Sequence, residues 1–592
     1  MTELKAIKIK QLGLTALGKE PADLIINGGK VLNVYTGELL ENQVVICGDR
    51  IAYVGPEAVF PAGPQTKTID VHGQVIIPGF IDGHIHMEAL MKVTEFIKLS
   101  LPCGTTSVIT ECTAPSNALG QEGFKLFVAM AHNQPQRFYF TAPTITYLCS
   151  NQGSGHKALQ VKDMIDILDL PEVVGMGEVY WPSLVGDPDQ GLYEIIEAAL
   201  DRKKTVEGHG AGARNQKLAA MAAQGVGSCH EPVTAEEVRD RLRLGLTTMI
   251  REGSVRRELQ EVLGPLIEMD LDLRRAVLVS DGVWPDSLLN DGHMDFIVQK
   301  AINLGLEPVK AIQMATLNTA EHFNLDHDLG GIAPGKLADM VVIPDLRTIK
   351  PQLVICGGRV VAKEGKLVAG LHEPDYPQEA YHCLNVPAAT PGIFRIEAGS
   401  GSRAAVRVIE LVTDIVNKEA SITLPVENGV VITANEINVC KVAVIERYRG
   451  TGQRAVGLIR GYGLRHGAVA SSFSFDEGNM VVIGTNDKDM AAAVNRLREL
   501  QGGLVFIQKG RAVKEIPLPI FGAVSEMDGL DVSEKFKDFV LSLQEAGCQG
   551  QNPLLTLFTI PFTVIPSIRL LIKGYWLSRE RRVANVLIGM EP

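Results

Sequence analysis

Six side chains of metal-ligating type close apolar runs of the chain. His84 and His86 end VIIPGFIDGHIH (75–86), and Glu178 ends VVGMGEV (173–179). His209 lies in TVEGHG (205–210), His230 closes GVGSCH (225–230), and Asp281 closes RRAVLVSD (274–281). Residues two apart on a strand share a face, so His84 and His86 can hold one ion together. Four imidazoles and two carboxylates at one place form a mixed N/O site suited to Fe, Mn or Zn. Taken singly, each residue has a plainer reading. His209 or His230 alone fits a hydrogen-bonded structural histidine, Glu178 an exposed strand end, and Asp281 a helix cap. Jointly the plain readings lose force, because separate strand ends would have to place such residues at one mouth by chance.

The elements that would position them alternate. Further apolar runs are TTSVIT (105–110), RFYFTAPT (137–144) and TTMIRE (247–252), and helical-period stretches such as EEVRDRLRLG and MDFIVQKAINLG follow most runs. Eight such units fit an α/β fold of the (β/α)8 TIM-barrel class over 75–332, whose strand ends converge on one face. A doubly wound sheet would carry a Gly-rich phosphate loop after its first strand, and none is present there. Gly330–Lys336 nearly spells one, but Leu337 stands where Ser or Thr should hold magnesium. It reads as a turn. Residues 22–55 and 338–368 are β-branched runs broken by Gly turns, each with a Gly-Gly-basic-Val step at 28–31 and 357–360. They predict a small β-sandwich built from the flanking segments 1–74 and 333–395. Residues 396–592 mix strands (GVVITA, VAVIERY, NMVVIGT, GLVFIQKG) with helices and predict a C-terminal α+β domain.

The balance of 57 basic against 69 acidic residues leaves a net charge of −12, which argues against general nucleic-acid binding. Hydrophobic residues at 46% and charged residues at 21% argue against a disordered chain. Nine cysteines without a CxxC pair exclude a zinc ribbon and make a disulfide framework a poor fit. The polar N-terminus lacks a signal-peptide core. The apolar stretch 553–572 carries Pro553, Pro561, Pro566 and Arg569, so it predicts buried strand and turn rather than a membrane span. His86-Met87-Glu88 with Pro102-Cys103 approaches a cytidine-type zinc motif, but Thr106 replaces its second cysteine. A soluble, cytoplasmic protein with no nucleic-acid or membrane partner is expected.

PGFIDGHIHME, GEV at 177–179, EGHGAG, SCHEPVTAEE, MIREGS and IQMATLNTAEHFNLDHDLGGIAPGKLADMVV resemble the amidohydrolase superfamily, and within it the adenine deaminase family. GLIRGYGLRHGAVASS and VVIGTNDKDMAAAVNRL resemble the C-terminal domain of that family, so the likeness spans nearly the whole chain. The resemblance implies a two-ion site, with Mn or Fe expected and Zn as the other option. Glu178 would bridge, His84 and His86 would hold one ion, and His209 and His230 the other. Asp281 would bind a metal and carry the proton of the water. It also implies a small purine-like substrate and a homo-oligomer.

The departures fall outside this set. Where the family has Asp-Pro-His-Glu, this chain has Glu111-Cys112-Thr113-Ala114. Where it has Asp-Asp-basic-His-Pro, the chain reads Asp281-Gly282-Val283-Trp284-Pro285. His-Asp-Ser-His-Asn is replaced by Phe475-Asp476-Glu477-Gly478-Asn479. Glu111, Glu231, Arg251, Glu252 and Trp284 are the candidate substrate contacts. The implied reaction is hydrolytic deamination of adenine to hypoxanthine and ammonia. The departures keep open another purine, a pterin or a cyclic amide as substrate, and a catalytically weak barrel used as a binding module.

Overall fold

The computed structural model describes every residue except 1, 152–158, 187–188, 434–436, 566 and 592. Pro566 therefore lies outside the described residues.

Each of the eight apolar runs contributes a strand. Phe80–His86, Thr105–Glu111, Arg137–Ala142, Val173–Tyr180 and Thr205–His209 pair in parallel, in chain order. Ser228–Cys229, Thr247–Arg251 and Ala276–Val279 form a second parallel run. The Gly227 N–H joins the two runs by donating to Val206 O at 2.9 Å. At the far end the chain returns to its start. The short strand Asp281–Gly282 pairs in parallel with Ile85 and His86, and Ser280 donates its N–H (3.2 Å) and its hydroxyl (2.5 Å) to the Asp82 carboxylate. The parallel sheet is thus curled.

Near-continuous apolar strands need cover on both faces. Ile81, Ile109, Val174, Met249 and Val277 pack inside the curl with Phe323 and Leu329. Helices such as Gln190–Asp201, Ala235–Arg243 and Met294–Asn303 cover the outside. Local signals start them: Asp189 accepts from the Gly191 N–H (3.1 Å) and Thr234 from the Glu237 N–H (3.3 Å).

The two distant β-rich segments meet in one sheet. Met340–Ile343 pairs antiparallel with Val75–Pro78, which pairs in parallel with Lys30–Asn33. A second sheet from residues 22–70 closes a core of Leu24, Ile26, Val44, Ile76, Met340 and Ile355. The glycine loop at 330–336 is a turn: the Gly335 N–H donates to Ile51 O, and Lys336 O accepts from the Ile51 N–H.

Beyond residue 400 a large, mainly antiparallel sheet runs from Arg403–Leu411 to Arg511–Pro517, with the helix Asp487–Leu500 packed against it. The stretch 553–572 differs from expectation. Its first part is the helix Pro553–Thr559, begun by Asn552, whose side chain accepts from the Leu554 N–H, with Pro553 in the first helical position. Only Ile568–Leu571 is strand. Among the described residues no helix is long and apolar enough to cross a membrane.

Candidate active site and metal centre

The C-terminal ends of the parallel strands meet at a buried carboxylate. Glu178 Oε1 lies 2.9 Å from His86 Nε2 and 3.5 Å from His84 Nε2. Its Oε2 lies 2.7 Å from His209 Nδ1 and 3.5 Å from His230 Nε2. Asp281 Oδ1 sits 3.6 Å from His84 Nε2 and 3.8 Å from His86 Nε2. Glu178 therefore spans two histidine pairs, one oxygen to each. Asp281 adopts the left-handed backbone region, with φ at +64°, which Asp tolerates better than most residues.

The donor set fits divalent cations. Nitrogen and oxygen atoms of His84, Glu178 and His230 lie within 4.8 Å of one another, as do those of His84, His86 and Asp281, and those of His209, His230 and Glu231. His84 Nε2 and His209 Nε2 are buried without a hydrogen-bond partner among the described residues. A buried polar atom left this way is costly, and a cation would satisfy both.

The electrostatics point the same way. Burial alone would raise the Glu178 carboxyl, but contacts with His209, His84 and His86, all of which favour the protonated ring, hold it well below the usual range. Burial would also raise Asp281; contact with His84 and the charge of Arg251 hold it well below. Arg251 Nη1 is 3.2 Å from Asp281 Oδ2 and ion-pairs with Glu231. Burial, then the neighbouring His84, pushes His230 down to about 3, a neutral ring able to give its lone pair.

A cavity opens over this floor. Glu178, His209, His230, Asp281, Glu231 and Arg251 line it below, and Trp284 at the side. Phe473, Phe475, Asp476, Phe562 and Ile565 of the C-terminal region roof it. Trp284 stacks on Phe475 (ring centroids 6.4 Å apart, planes at 8°) and on Phe536 (5.5 Å). Tyr180, two residues beyond Glu178, donates its hydroxyl to Asp476 Oδ1 at 2.7 Å and ties roof to floor.

A model of the amidohydrolase family matches residues 75–361, and a model of the adenine deaminase C-terminal domain matches 414–581. The chain is 37% identical to an adenine deaminase of Moorella thermoacetica, covering 98% of both proteins. It is 37% identical to one of Clostridium botulinum (95% of each) and 36% identical to one of Cenarchaeum symbiosum (98% of this chain, 95% of that one). The chain belongs to the adenine deaminase family.

Within that family frame, two residues expected at the substrate lie elsewhere. Glu252 does not line the cavity. Strand alternation turns it away from Arg251 and toward the outer helix, where it pairs with Lys300 Nζ at 2.8 Å. Glu111 lies behind the floor: its Oε2 accepts the Glu178 N–H at 3.1 Å, and its Oε1 accepts from the Ile145 N–H at 3.4 Å. Burial, and then the Glu178 charge, push its carboxyl up to about 8. A side chain at a strand end can turn to cavity or backbone, and the sequence does not say which. Glu88, Thr113, Asn117 and Asp476 are among the cavity residues that escaped the sequence reading as contacts. Glu88 carried a readable signal, since it continues the two-residue step of His84 and His86.

Proposed function

We propose that the protein is a metal-dependent hydrolase that deaminates adenine, giving hypoxanthine and ammonia. The observation that carries this reading is the meeting of His84, His86, His209, His230 and Asp281 around Glu178. It occurs in a chain that aligns end to end with adenine deaminases. The curled sheet is read as a closed (β/α)8 barrel over 75–332, with a β-sandwich from 1–74 and 333–395 and a C-terminal domain over 396–592. The sheet that joins Val75–Pro78 to Lys30–Asn33 and Met340–Ile343 supports a sandwich built from both flanks, with Val75–Pro78 on the sandwich side of the first boundary.

Two ions, Mn or Fe, are proposed. His84, His86 and Asp281 would hold one, and His209 and His230 the other, with Glu178 between them. When bound, a divalent metal lowers the pKa of water from roughly 15.7 towards about 7 and so supplies hydroxide at neutral pH. The chain's own residues do the rest. Asp281 accepts the water proton at its carboxylate and passes it to the amino group as the C–N bond breaks. Arg251 keeps that carboxylate ionised and fixes its orientation through Oδ2. The aromatic roof shields the flat ring and excludes bulk water. Incubation of the manganese-loaded protein with adenine should release one ammonia per hypoxanthine formed. Release no faster than in a protein-free blank would overturn the proposal.

A further inference from the structure

Among the described residues of the cavity wall outside the metal centre, Glu88 Oε2, Thr113 Oγ1, Arg251 Nε and Trp284 Nε1 are buried without a partner, and the first two sit on residues joined by a hydrogen bond. Glu88 is only 4% exposed. Its Oε1 accepts the Thr113 N–H at 3.2 Å and lies 3.7 Å from His86 Nδ1. Its Oε2 is buried with no partner among the described residues, and so is Thr113 Oγ1. Both residues line the cavity that contains Glu178 and Asp281. A buried oxygen left unpaired is costly, and more so for a carboxylate. Support of His86 does not explain it: that contact belongs to Oε1, at a distance beyond a hydrogen bond, and leaves Oε2 idle.

Position says what part of a ligand these atoms meet. His86 faces Glu178 and Asp281 with Nε2 and Glu88 with Nδ1, so Glu88 lies across the imidazole ring from the reacting centre. It is therefore placed for a remote edge of the substrate, not for the leaving amine. A carboxylate oxygen only accepts, whereas a hydroxyl also donates. The imidazole edge of a free purine presents the complementary pair, one N–H and one bare nitrogen.

We propose that Glu88 and Thr113 form the subsite that reads the imidazole edge of an unsubstituted purine base. Glu88 Oε2 accepts the ring N–H, and Thr113 Oγ1 donates to the bare nitrogen. This deepens the deaminase reading and rests on it. A purine alkylated on that ring leaves the carboxylate unpaired, so nucleosides and N-methylated bases are rejected.

The test is calorimetric titration of the metal-loaded full chain with purine, 7-methylpurine and 9-methylpurine, none of which carries an amino group to lose. Wild-type protein should bind purine at least about tenfold tighter than either methylated ring. In Glu88→Gln the Thr113 N–H still claims the side-chain oxygen. The amide then presents a donor to the ring N–H, and the preference should fall to about twofold or less. Thr113→Val keeps the backbone bond to Glu88 and should weaken purine binding about fivefold. Elemental analysis accompanies each titration. The proposal is overturned if Glu88→Gln keeps the wild-type preference, or if it loses metal along with binding, since Glu88 would then only support His86. Should that variant fail to fold, Thr113→Val decides, and unchanged purine affinity there overturns it. Ammonia release plays no part in the readout. A protein that shows this preference but leaves adenine intact keeps the subsite and loses the deaminase reading.

Discussion

Five strands of the parallel sheet bring imidazoles and carboxylates to the floor of the cavity, while the C-terminal region brings a mixed roof in which Phe473, Phe475 and Phe562 stand beside Asp476, Arg447 and Thr559. The floor matches the family pattern at each proposed ligand. The roof departs from the pattern that the sequence resemblance implies, with Phe475 and Gly478 at the two expected histidine positions. The two regions answer to different demands. A metal centre needs several charged or lone-pair donors at fixed separations, and losing one removes the chemistry. A roof has to exclude water and fit a flat ring, which several apolar residues can do. The floor should therefore govern turnover and metal content, and the roof affinity and local stability.

Removing a floor residue should have the largest effect. Asp281→Asn keeps the shape but cannot carry a proton, so kcat for ammonia release should fall about a thousandfold. Elemental analysis should show metal still bound through the histidines. A fall under tenfold would move the proton carrier elsewhere.

The roof offers a second, smaller break. Glu477 and Asp476 are buried neighbours there, 2% and 3% exposed. Burial pushes the Glu477 carboxyl up to about 7, against an Asn479 hydrogen bond that lowers it, and burial pushes Asp476 up to about 6. A folded-state pKa above the unfolded value means that the native state holds the proton more tightly. Its contribution is full below about pH 4.5 and is lost as pH rises through about 7. Urea unfolding of wild type and Glu477→Gln at about pH 5 and pH 8 should show the variant gaining on wild type at the higher pH. The gain should be about 2.5 kcal/mol, one pKa unit being worth about 1.36 kcal/mol and part of the shift being already spent at pH 5. Equal gaps at both pH values would mean that Glu477 stays ionised in the fold.

The same contrast governs what could be read from the sequence. The eight parallel strands were legible because strands buried on both faces are continuous apolar runs, and the proposed ligands close those runs. The joining of residues 22–55 to 338–368 was legible from a repeated turn step. The helix Pro553–Thr559 was not, because a short, fully buried helix has no polar face to give a period. Glu111 and Glu252 were misplaced for a related reason. Composition marks a carboxylate at a strand end, but only the packed neighbours decide whether it meets the cavity, the Glu178 N–H or Lys300. The roof was legible only through the resemblance, which marks residues 475–479; by composition its phenylalanines look like core.

A smaller effect is expected from the roof aromatics. Phe475→Ala removes the ring stacked on Trp284 and opens the cavity. KM for adenine should rise about tenfold with kcat within about threefold, since the floor is untouched. A Trp284→Leu partner closes a double-mutant cycle, and the coupling should be about 1 kcal/mol. A collapse of kcat instead would bring the roof into the chemical step and erase the division of labour.

The smallest effect on turnover is expected at Glu252, which the sequence placed with the substrate and the fold places against Lys300. Glu252→Gln keeps an acceptor for the Lys300 ammonium but loses the charge attraction, so thermal unfolding should shift down by a few degrees, about 1–2 kcal/mol. With no line of contact to the cavity, kcat/KM for adenine should stay within about twofold of wild type. A larger loss of kcat/KM at unchanged melting temperature would show that this carboxylate swings to the substrate during turnover. It would also show that strand alternation alone does not decide which side chains belong to the site.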